Sequence, residues 1–163
     1  MKPMALFMSD DNGYKMQFEE NGTTLFCRVR VKDDSAELEE TCVSDDVDKE
    51  LVLSCVEAFH RSRRTLFEDS EPMVSVVNNN PVISTKKKLI PKRIEAGERL
   101  CDFRADIECD GKSSIYDFVV NDHGFMLGTE WDDNFWRDIG GELHTAGPLF
   151  KAITEFYRLR CSK

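Results

Sequence analysis

The stretch LCDFRADIECDGKSSIYDFVV, residues 100–120, decides the fold of this chain. Its first half alternates strictly between apolar residues at Cys101, Phe103, Ala105, Ile107 and Cys109 and polar residues at Asp102, Arg104, Asp106 and Glu108. Such alternation predicts a β-strand with one face on a core and the other in water. Asp110-Gly111 is a turn dipeptide, so the stretch predicts a β-hairpin whose second strand covers residues 114–120.

A second hairpin is predicted near the start of the chain. Asn21-Gly22 separates two strand-like segments, residues 14–20 and 24–32, and Asn-Gly is the strongest short hairpin signal. In the later segment, apolar residues again alternate with polar and basic ones. Hairpins that keep a polar face favour an antiparallel sheet, because a parallel sheet is normally covered on both faces.

Two helices are predicted from apolar residues that recur every three or four positions. The first covers residues 44–66, with Ser44 as its expected N-terminal cap and aspartates in its first turn, where the helix dipole favours them. Its apolar stripe is Val47, Leu51, Val52, Cys55, Val56 and Phe59. The second is expected to begin at Pro148, since proline is well tolerated as the first residue of a helix.

Weaker signals complete the predicted secondary structure. Strand composition occurs in residues 73–77, 82–90 and 125–130. The second of these segments is expected to end at Pro91, because proline lacks an N–H for a strand ladder. The acidic segment 33–40 fits either a short edge strand or a loop, and residues 131–141 are predicted to be irregular.

These elements predict the α+β fold class, with a mainly antiparallel sheet of about five to seven strands and two helices packed on one face. The basic stretch 86–99 is the one candidate for an internal domain boundary. The pieces on either side of it are too small to fold readily alone, so we expect a single domain over residues 1–163.

The chain carries 31 acidic and 22 basic residues, a net charge of −9. A surface this negative repels nucleic acid and anionic membranes and speeds encounter with basic partners. The apolar run over residues 3–8 is too short for a signal peptide or a membrane span, so a cytoplasmic location is expected. We interpret the one basic patch, residues 86–88, as an edge strand protected by lysines.

The cysteines are predicted to be reduced thiols. They are Cys27, Cys42, Cys55, Cys101, Cys109 and Cys161. No pair has the spacing of a CxxC motif or the neighbouring histidines of a zinc site. Four of them, Cys27, Cys55, Cys101 and Cys109, fall on the apolar phase of a predicted element, where a thiol packs as a small hydrophobe. We therefore expect no metal and no cofactor.

Motifs that mark common catalytic sites are missing from the sequence. It contains no GxxxxGK[ST] or GxGxxG loop for phosphates and no GxSxG nucleophile elbow. His60 suits the basic end of the first helix, and we interpret His144 as a surface residue. A small enzyme with a dispersed site that combines Asp122, His123 and His144 stays an alternative, since geometry decides such roles.

The segment TEWDDNFWRD, residues 129–138, is the most suggestive for function. It intersperses tryptophans with acids, and binding energy at interfaces concentrates on a few aromatic anchors. The candidate partner-binding residues are Glu130, Trp131, Asp132, Asp133 and Trp136. The alternative, that both tryptophans only cover the core, is equally compatible with the sequence.

The sequence therefore favours a non-enzymatic binding protein. Our first hypothesis is an immunity-type inhibitor that neutralises a basic, nuclease-like toxin through an acidic surface, because complementary charge accelerates association. A secretion chaperone or adaptor is the first alternative, and a small enzyme with a dispersed Asp/His site is the second. The expected partner is a basic protein, and the sequence leaves the oligomeric state open.

Overall fold

A computed structural model describes residues 1–41, 46–121 and 132–162 of the chain. The strands are β1 Lys2–Met8, β2 Gly13–Glu20, β3 Thr23–Lys32, β4 Ser35–Thr41, β5 Phe67–Val77, β6 Asn80–Lys88, β7 Ile90–Ala96, β8 Asp102–Cys109 and β9 Lys112–Val119. The helices are α1 Lys49–Thr65, α2 Asp133–Asp138 and α3 Leu143–Cys161. Within these described ranges, no helix is long and apolar enough to cross a membrane.

The predicted fold class is confirmed: the chain forms an antiparallel seven-stranded sheet and carries helices. The strand order is β4-β3-β2-β1-β7-β8-β9, and β5 pairs with β6 in a separate two-stranded sheet. Both predicted hairpins are confirmed, as β2 with β3 and β8 with β9. The acidic segment 33–40, for which an edge strand or a loop was predicted, contributes most of β4, an edge strand of the large sheet.

The centre of the sheet is formed by two strands that the sequence did not indicate. β1 lies between β2 and β7, and β7 lies between β1 and β8. The prediction that a strand ends at Pro91 was wrong, because β7 runs through it from Ile90 to Ala96. The pairing with β8 shifts register between Pro91 and Arg93, and a bulge of this kind accommodates a residue without an N–H.

The first helix begins later than predicted. Asp48 is the N-terminal cap of α1, and its carboxylate accepts a hydrogen bond from the Leu51 N–H at 3.0 Å. Ser44, the cap expected from the sequence, lies outside the described residues. A charged cap beside Glu50 in the first turn suits the positive end of the helix dipole.

The last helix begins earlier than predicted, at Leu143, so Pro148 lies inside α3 rather than at its first position. Proline there removes one hydrogen bond of the helix ladder, a cost that packing of the apolar face outweighs: Leu149, Ile153 and Phe156 are fully buried. Residues 133–138, expected to be irregular, form the short helix α2.

The core lies on one face of the large sheet. Inward residues of the strands and the apolar faces of α1 and α3 form one cluster of buried side chains. Its largest fully buried members are Tyr14, Phe18, Phe59, Phe118, Phe135 and Phe156. On the opposite face the same strands present charged residues such as Arg28, Arg104 and Asp117, as the alternation in the sequence predicted.

The described cysteines differ in burial. Cys27 and Cys55 are buried, Cys101 and Cys109 are half-buried, and Cys161 is exposed. Cys27 and Cys55 therefore lie in the core as predicted, whereas Cys101 and Cys109 are only partly buried. Burial raises the pKa of the Cys109 thiol to about 11, and a contact with the Glu68 carboxylate at 3.4 Å acts in the same direction.

The hairpin of β5 and β6, residues 67–88, leaves the body of the protein as an arm. Its root is buried at Leu66 and Leu89, whose backbones join through a hydrogen bond of 3.0 Å. At its far end Asn78 and Asn79 form the turn with positive φ angles of 52° and 63°, as two-residue hairpin turns require. The basic patch of residues 86–88 belongs to β6, near the root.

Arg160 fastens the end of α3 to the loop between β7 and β8. Its guanidinium lies over the Phe103 ring, 5.5 Å from the ring centre. It donates hydrogen bonds of 2.9 to 3.2 Å to the backbone carbonyls of Gly97, Arg99, Leu100 and Asp102. One side chain thereby binds four carbonyls of this loop, of which those of Arg99 and Asp102 also accept backbone N–H groups from within it.

We expect Arg160→Met to lower the free energy of unfolding by about 2 kcal/mol, because hydrogen bonds to a charged donor are lost while the apolar stem is kept. Urea denaturation measures the change. Lys151→Met is the matched control on the same helix, because Lys151 is exposed and surface substitutions usually change stability by no more than about 0.5 kcal/mol. Equal losses in the two variants would contradict the role given to Arg160.

Candidate binding surface

Asp132 positions α2 on the rest of the molecule. Its Oδ1 accepts hydrogen bonds from the backbone N–H groups of Asn134 and Phe135, at 2.9 and 3.3 Å. Its Oδ2 accepts from the Asp117 N–H at 3.3 Å, and its own N–H donates to the Asp117 carbonyl at 3.1 Å. Asp132 therefore caps α2 and joins it to β9, so its carboxylate is engaged within the fold.

The two other described candidates, Asp133 and Trp136, differ in burial. Asp133, the first residue of α2, is exposed. Trp136 is half-buried: it packs against the core cluster and lies beside Gly141, while Phe135 next to it is fully buried. The tryptophan therefore contributes to the core and still presents part of its surface. Glu130 and Trp131 lie outside the described residues.

Carboxylates from other parts of the chain lie around α2. Asp117 comes from β9, Asp138 ends α2, and Glu142 is the N-cap of α3. Asp69 of β5 lies against Gly140, where an added Cβ would be 2.9 Å from its carboxylate. We call this group the α2 surface: Asp69, Asp117, Asp132, Asp133, Trp136, Asp138 and Glu142.

The α2 surface keeps an excess of negative charge after its ion pairs are counted. Arg104 pairs with Asp117 at 2.8 Å and Lys86 with Glu142 at 2.7 Å. The hydrogen bond from Lys86 lowers the pKa of the Glu142 carboxyl, so this group stays ionised at neutral pH. Arg137 bonds to Asn134 instead of an acid. Six carboxylates thus face three cations.

Asp138 is tied to a buried phenol. Tyr116 donates a hydrogen bond of 2.8 Å to its Oδ2. Burial, followed by this hydrogen bond to the carboxylate, raises the pKa of Tyr116 far above its ordinary value, so the phenol stays neutral. The hydroxyl therefore anchors α2 against the sheet and leaves the charge of Asp138 on the surface.

The open face of the large sheet has a different charge pattern. Arg28, Lys15, Phe7 and Arg93 are consecutive cross-strand neighbours on β3, β2, β1 and β7. The Arg93 guanidinium lies 4.9 Å from the Phe7 ring centre, and the Lys15 ammonium lies 5.6 Å from that of Phe26. Carboxylates flank this row: Arg93 pairs with Glu95 at 3.2 Å and lies opposite Asp106 of β8, and Arg30 of β3 pairs with Asp10 and Glu39. The open face therefore carries charges of both signs.

His60 belongs to a polar cluster far from α2 in sequence. The fully buried Tyr14 hydroxyl lies 2.6 Å from His60 Nδ1 and accepts a hydrogen bond of 2.9 Å from Arg63. An imidazole with its proton on Nε2 accepts this hydrogen bond from the phenol, and one with its proton on Nδ1 donates it. An open groove of about 580 Å³ beside it is lined by Asn12, Val31, Lys32, Asp33, Asp34, His60 and Arg64.

The environment keeps this cluster in its neutral form. Burial, and then the charges of Arg64 and Arg63, lower the pKa of His60. Burial raises the pKa of Tyr14, against the opposing effect of the Arg63 hydrogen bond. A neutral imidazole that is hydrogen-bonded to a buried phenol fits a structural role for His60. The sequence placed this residue at the basic end of the first helix, and it lies there in α1.

Of the enzyme alternative, only His144 lies among the described residues. His144 has a side chain that is 80% exposed and pairs only loosely with Glu142, at 3.8 Å. Asp122 and His123 lie outside the described residues. Among residues 1–41, 46–121 and 132–162, no group of three His, Cys, Asp or Glu side chains is placed to hold a metal ion.

Comparison with known proteins adds no family to this description, because no family model, no curated protein and no solved structure matches the chain.

Four members of the α2 surface were not among the candidate residues from the sequence: Asp69, Asp117, Asp138 and Glu142. Asp138 stands inside the quoted acidic segment, so its position there was a usable signal. Asp117 is in the polar phase of β9, so the pattern predicts an exposed side chain. The pattern does not predict which other residues lie next to it. Asp69 has no local signal, since only the fold of the arm root brings it to Gly140.

The pKa of His60 predicts how stability depends on pH. Because the folded protein holds this pKa below the unfolded value of about 6.5, the unfolded chain binds more protons just below that pH. Stability is therefore full above about pH 6.5 and falls as pH decreases towards the folded pKa. We expect His60→Asn, which keeps an acceptor for Tyr14, to lose less stability than the wild type between about pH 7.5 and pH 5.5.

Urea denaturation at both pH values measures this difference. His144→Asn is the control, because His144 is exposed and should leave the pH dependence unchanged. A wild-type slope that persists in His60→Asn would show that His60 is not held neutral by the fold.

Proposed function

We propose that this chain is a non-enzymatic binding protein that holds a basic protein partner on the α2 surface. An immunity-type inhibitor that neutralises a basic, nuclease-like toxin in the cytoplasm is the form of this function that suits the charge of the chain. Such an inhibitor needs a preorganised acidic surface and no catalytic group of its own.

The observation that carries the proposal is the convergence of carboxylates from β5, β9, α2 and the start of α3 around a half-buried tryptophan. An aromatic side chain whose inner face is held by the core loses little entropy when a partner covers its outer face. Acids around it attract a basic partner and restrict its orientation.

The open face of the large sheet offers a basic protein less attraction than the α2 surface. Its cations Arg28, Lys15 and Arg93 offset acids such as Glu95 and Asp106 on the same strands or beside them, whereas carboxylates outnumber cations on the α2 surface. This difference in local charge supports the α2 surface as the docking site.

A secretion chaperone or adaptor is the second candidate function. The observation that favours it is the exposure of apolar side chains on the arm, with Val74 at 66% and Val76 at 72%. Exposed apolar strands can bind a segment of a client chain. A chaperone of this kind would bind its client on the arm, and the α2 surface would have no role. Variants of the two surfaces therefore distinguish the chaperone from the inhibitor.

The proposal predicts that charge at Asp133 controls association. Asp133→Asn and Asp133→Lys remove one and two units of charge from the α2 surface without touching the cap residue Asp132. We expect the association rate with a basic partner to fall by roughly threefold per unit of charge at low ionic strength, and the difference to shrink at high salt. Interferometry with immobilised chain and the partner purified from the source organism measures these rates.

Asp46→Asn and Asp46→Lys are the matched controls, since Asp46 is an exposed aspartate next to the start of α1. They change the net charge by the same amounts as the Asp133 variants. We expect them to change the association rate only slightly, because charge far from the docking site acts only through the overall charge. Equal rates for the Asp133 and Asp46 series would remove the α2 surface as the docking site. A captured nuclease should also lose activity when the chain is added, and undiminished activity would contradict the inhibitor form.

A further inference from the structure

Two carboxylates of the α2 surface have no partner among the described residues. Asp69 and Asp133 are exposed and make neither an ion pair nor a hydrogen bond with any of them. The other four carboxylates of this surface are engaged in ion pairs or hydrogen bonds within the fold: Asp117, Asp132, Asp138 and Glu142. The charge and the whole hydrogen-bonding capacity of Asp69 and Asp133 are therefore open to a partner.

Asp69 is left unpaired by an ion pair at the root of the arm. Its cross-strand neighbour on β6 is Lys86, at the position where an opposite charge would neutralise it. The Lys86 ammonium instead bonds to the Glu142 carboxylate at 2.7 Å. The Asp69 carboxylate lies against Gly140, 2.9 Å from the place of an added Cβ. The fold thus leaves an uncompensated charge beside the end of α2.

Trp136 lies near both unpaired carboxylates. It follows Asp133 by three residues in α2, and side chains with this spacing are neighbours on a helix. After α2 the indole packs beside Gly141, where an added Cβ would be 3.4 Å from its nitrogen. Gly141 directly follows the glycine that Asp69 contacts. The half-buried indole therefore has an unpaired carboxylate near each end of α2.

The two glycines after α2 keep this place open. Gly140 and Gly141 have positive φ angles of 65° and 71°, a conformation that favours glycine. Because neither residue carries a side chain, nothing at these two positions covers the Asp69 carboxylate or the neighbouring edge of the indole.

A guanidinium suits this arrangement better than an ammonium. It is planar, so it can stack on an indole while the N–H donors at its rim point towards carboxylates. The lysine ammonium is a compact and strongly hydrated point charge without such a plane. Among aromatic side chains, tryptophan attracts cations most strongly. An indole beside unpaired carboxylates therefore selects for arginine by shape as well as by charge.

We propose that the α2 surface holds an arginine side chain of the basic partner, stacked on Trp136 with its N–H groups directed at Asp133 and Asp69. This inference rests on the proposed function and names the residue type that anchors the partner. Arginine and tryptophan are both enriched among the few residues that carry most of the binding energy of an interface. A lysine in the partner would keep the charge and lose the stacking and the bidentate hydrogen bonds.

Hexaarginine and hexalysine peptides with blocked ends have equal charge, so they separate recognition of arginine from attraction by charge alone. We expect the full chain to bind hexaarginine at least about fivefold more tightly near physiological ionic strength. Fluorescence anisotropy of the labelled peptides measures both affinities. Equal affinities would overturn the arginine anchor. The proposed function has a separate test, the difference between the Asp133 and Asp46 series with the basic partner, and it can stand if the peptides bind equally.

Variants of the two carboxylates locate the anchor. Asp133→Asn and Asp69→Asn each remove one charge from an exposed position and should each weaken hexaarginine more than hexalysine, with the preference falling to about twofold or less. Asp46→Asn is the matched control, since it removes the same charge from an exposed position at the start of α1. It should keep the full preference. A preference that persists in both test variants would place the recognition of arginine elsewhere.

Trp136→Phe tests the stacking. A phenyl ring still packs against the core, but it attracts cations less strongly than an indole. We expect the preference for hexaarginine to fall to about twofold or less while the affinity for hexalysine changes little. Thermal unfolding of the variant verifies that it is folded. An unchanged preference in the folded variant would contradict stacking on Trp136, and the Asp133→Asn result decides the proposal if this variant does not fold.

Discussion

The pairing of β1 with β7 is the contact on which the rest of the structure depends. These strands are far apart in the sequence, yet they join β2–β4 on one side to β8 and β9 on the other in a single sheet. At their contact Leu6 is opposite Ile94, and both are fully buried. Because side chains alternate between faces, this register commits the apolar face of every strand to the same core, which α1 and α3 then cover.

The same pairing determines where the arm can lie. β7 begins directly after β6 and enters the centre of the sheet, so β5 and β6 have no free sheet edge beside them within the fold and pair with each other. The buried root residues Leu66 and Leu89 hold the base of the arm in the core. The arm tip is left in solvent as a consequence of this topology, which separates its apolar chemistry from the acidic surface around α2.

Charge follows the same architecture. The polar phases of the central strands bring Arg28, Lys15 and Arg93 into one row, because cross-strand neighbours of an antiparallel sheet are adjacent on one face. At the β9 edge, Asp132 caps α2 and places Asp133 and the outer part of Trp136 at the surface. Net charge alone describes neither region, since the cationic row and the acidic α2 surface occur in the same negatively charged molecule.

Local sequence determined the two hairpins, the fold class and the existence of α1, because period-two and period-four patterns and turn dipeptides act within a few residues. It could not identify β1 and β7 as central strands, since their partners are distant and Pro91 is acceptable only at the bulge that this sheet forms. The acidic character of residues 129–138 could be recognised in the sequence. Tertiary structure determined that Asp132 caps α2 and that Asp69 lies against Gly140. A pattern reports which face of an element is polar, but only the packing of elements determines which side chains meet there.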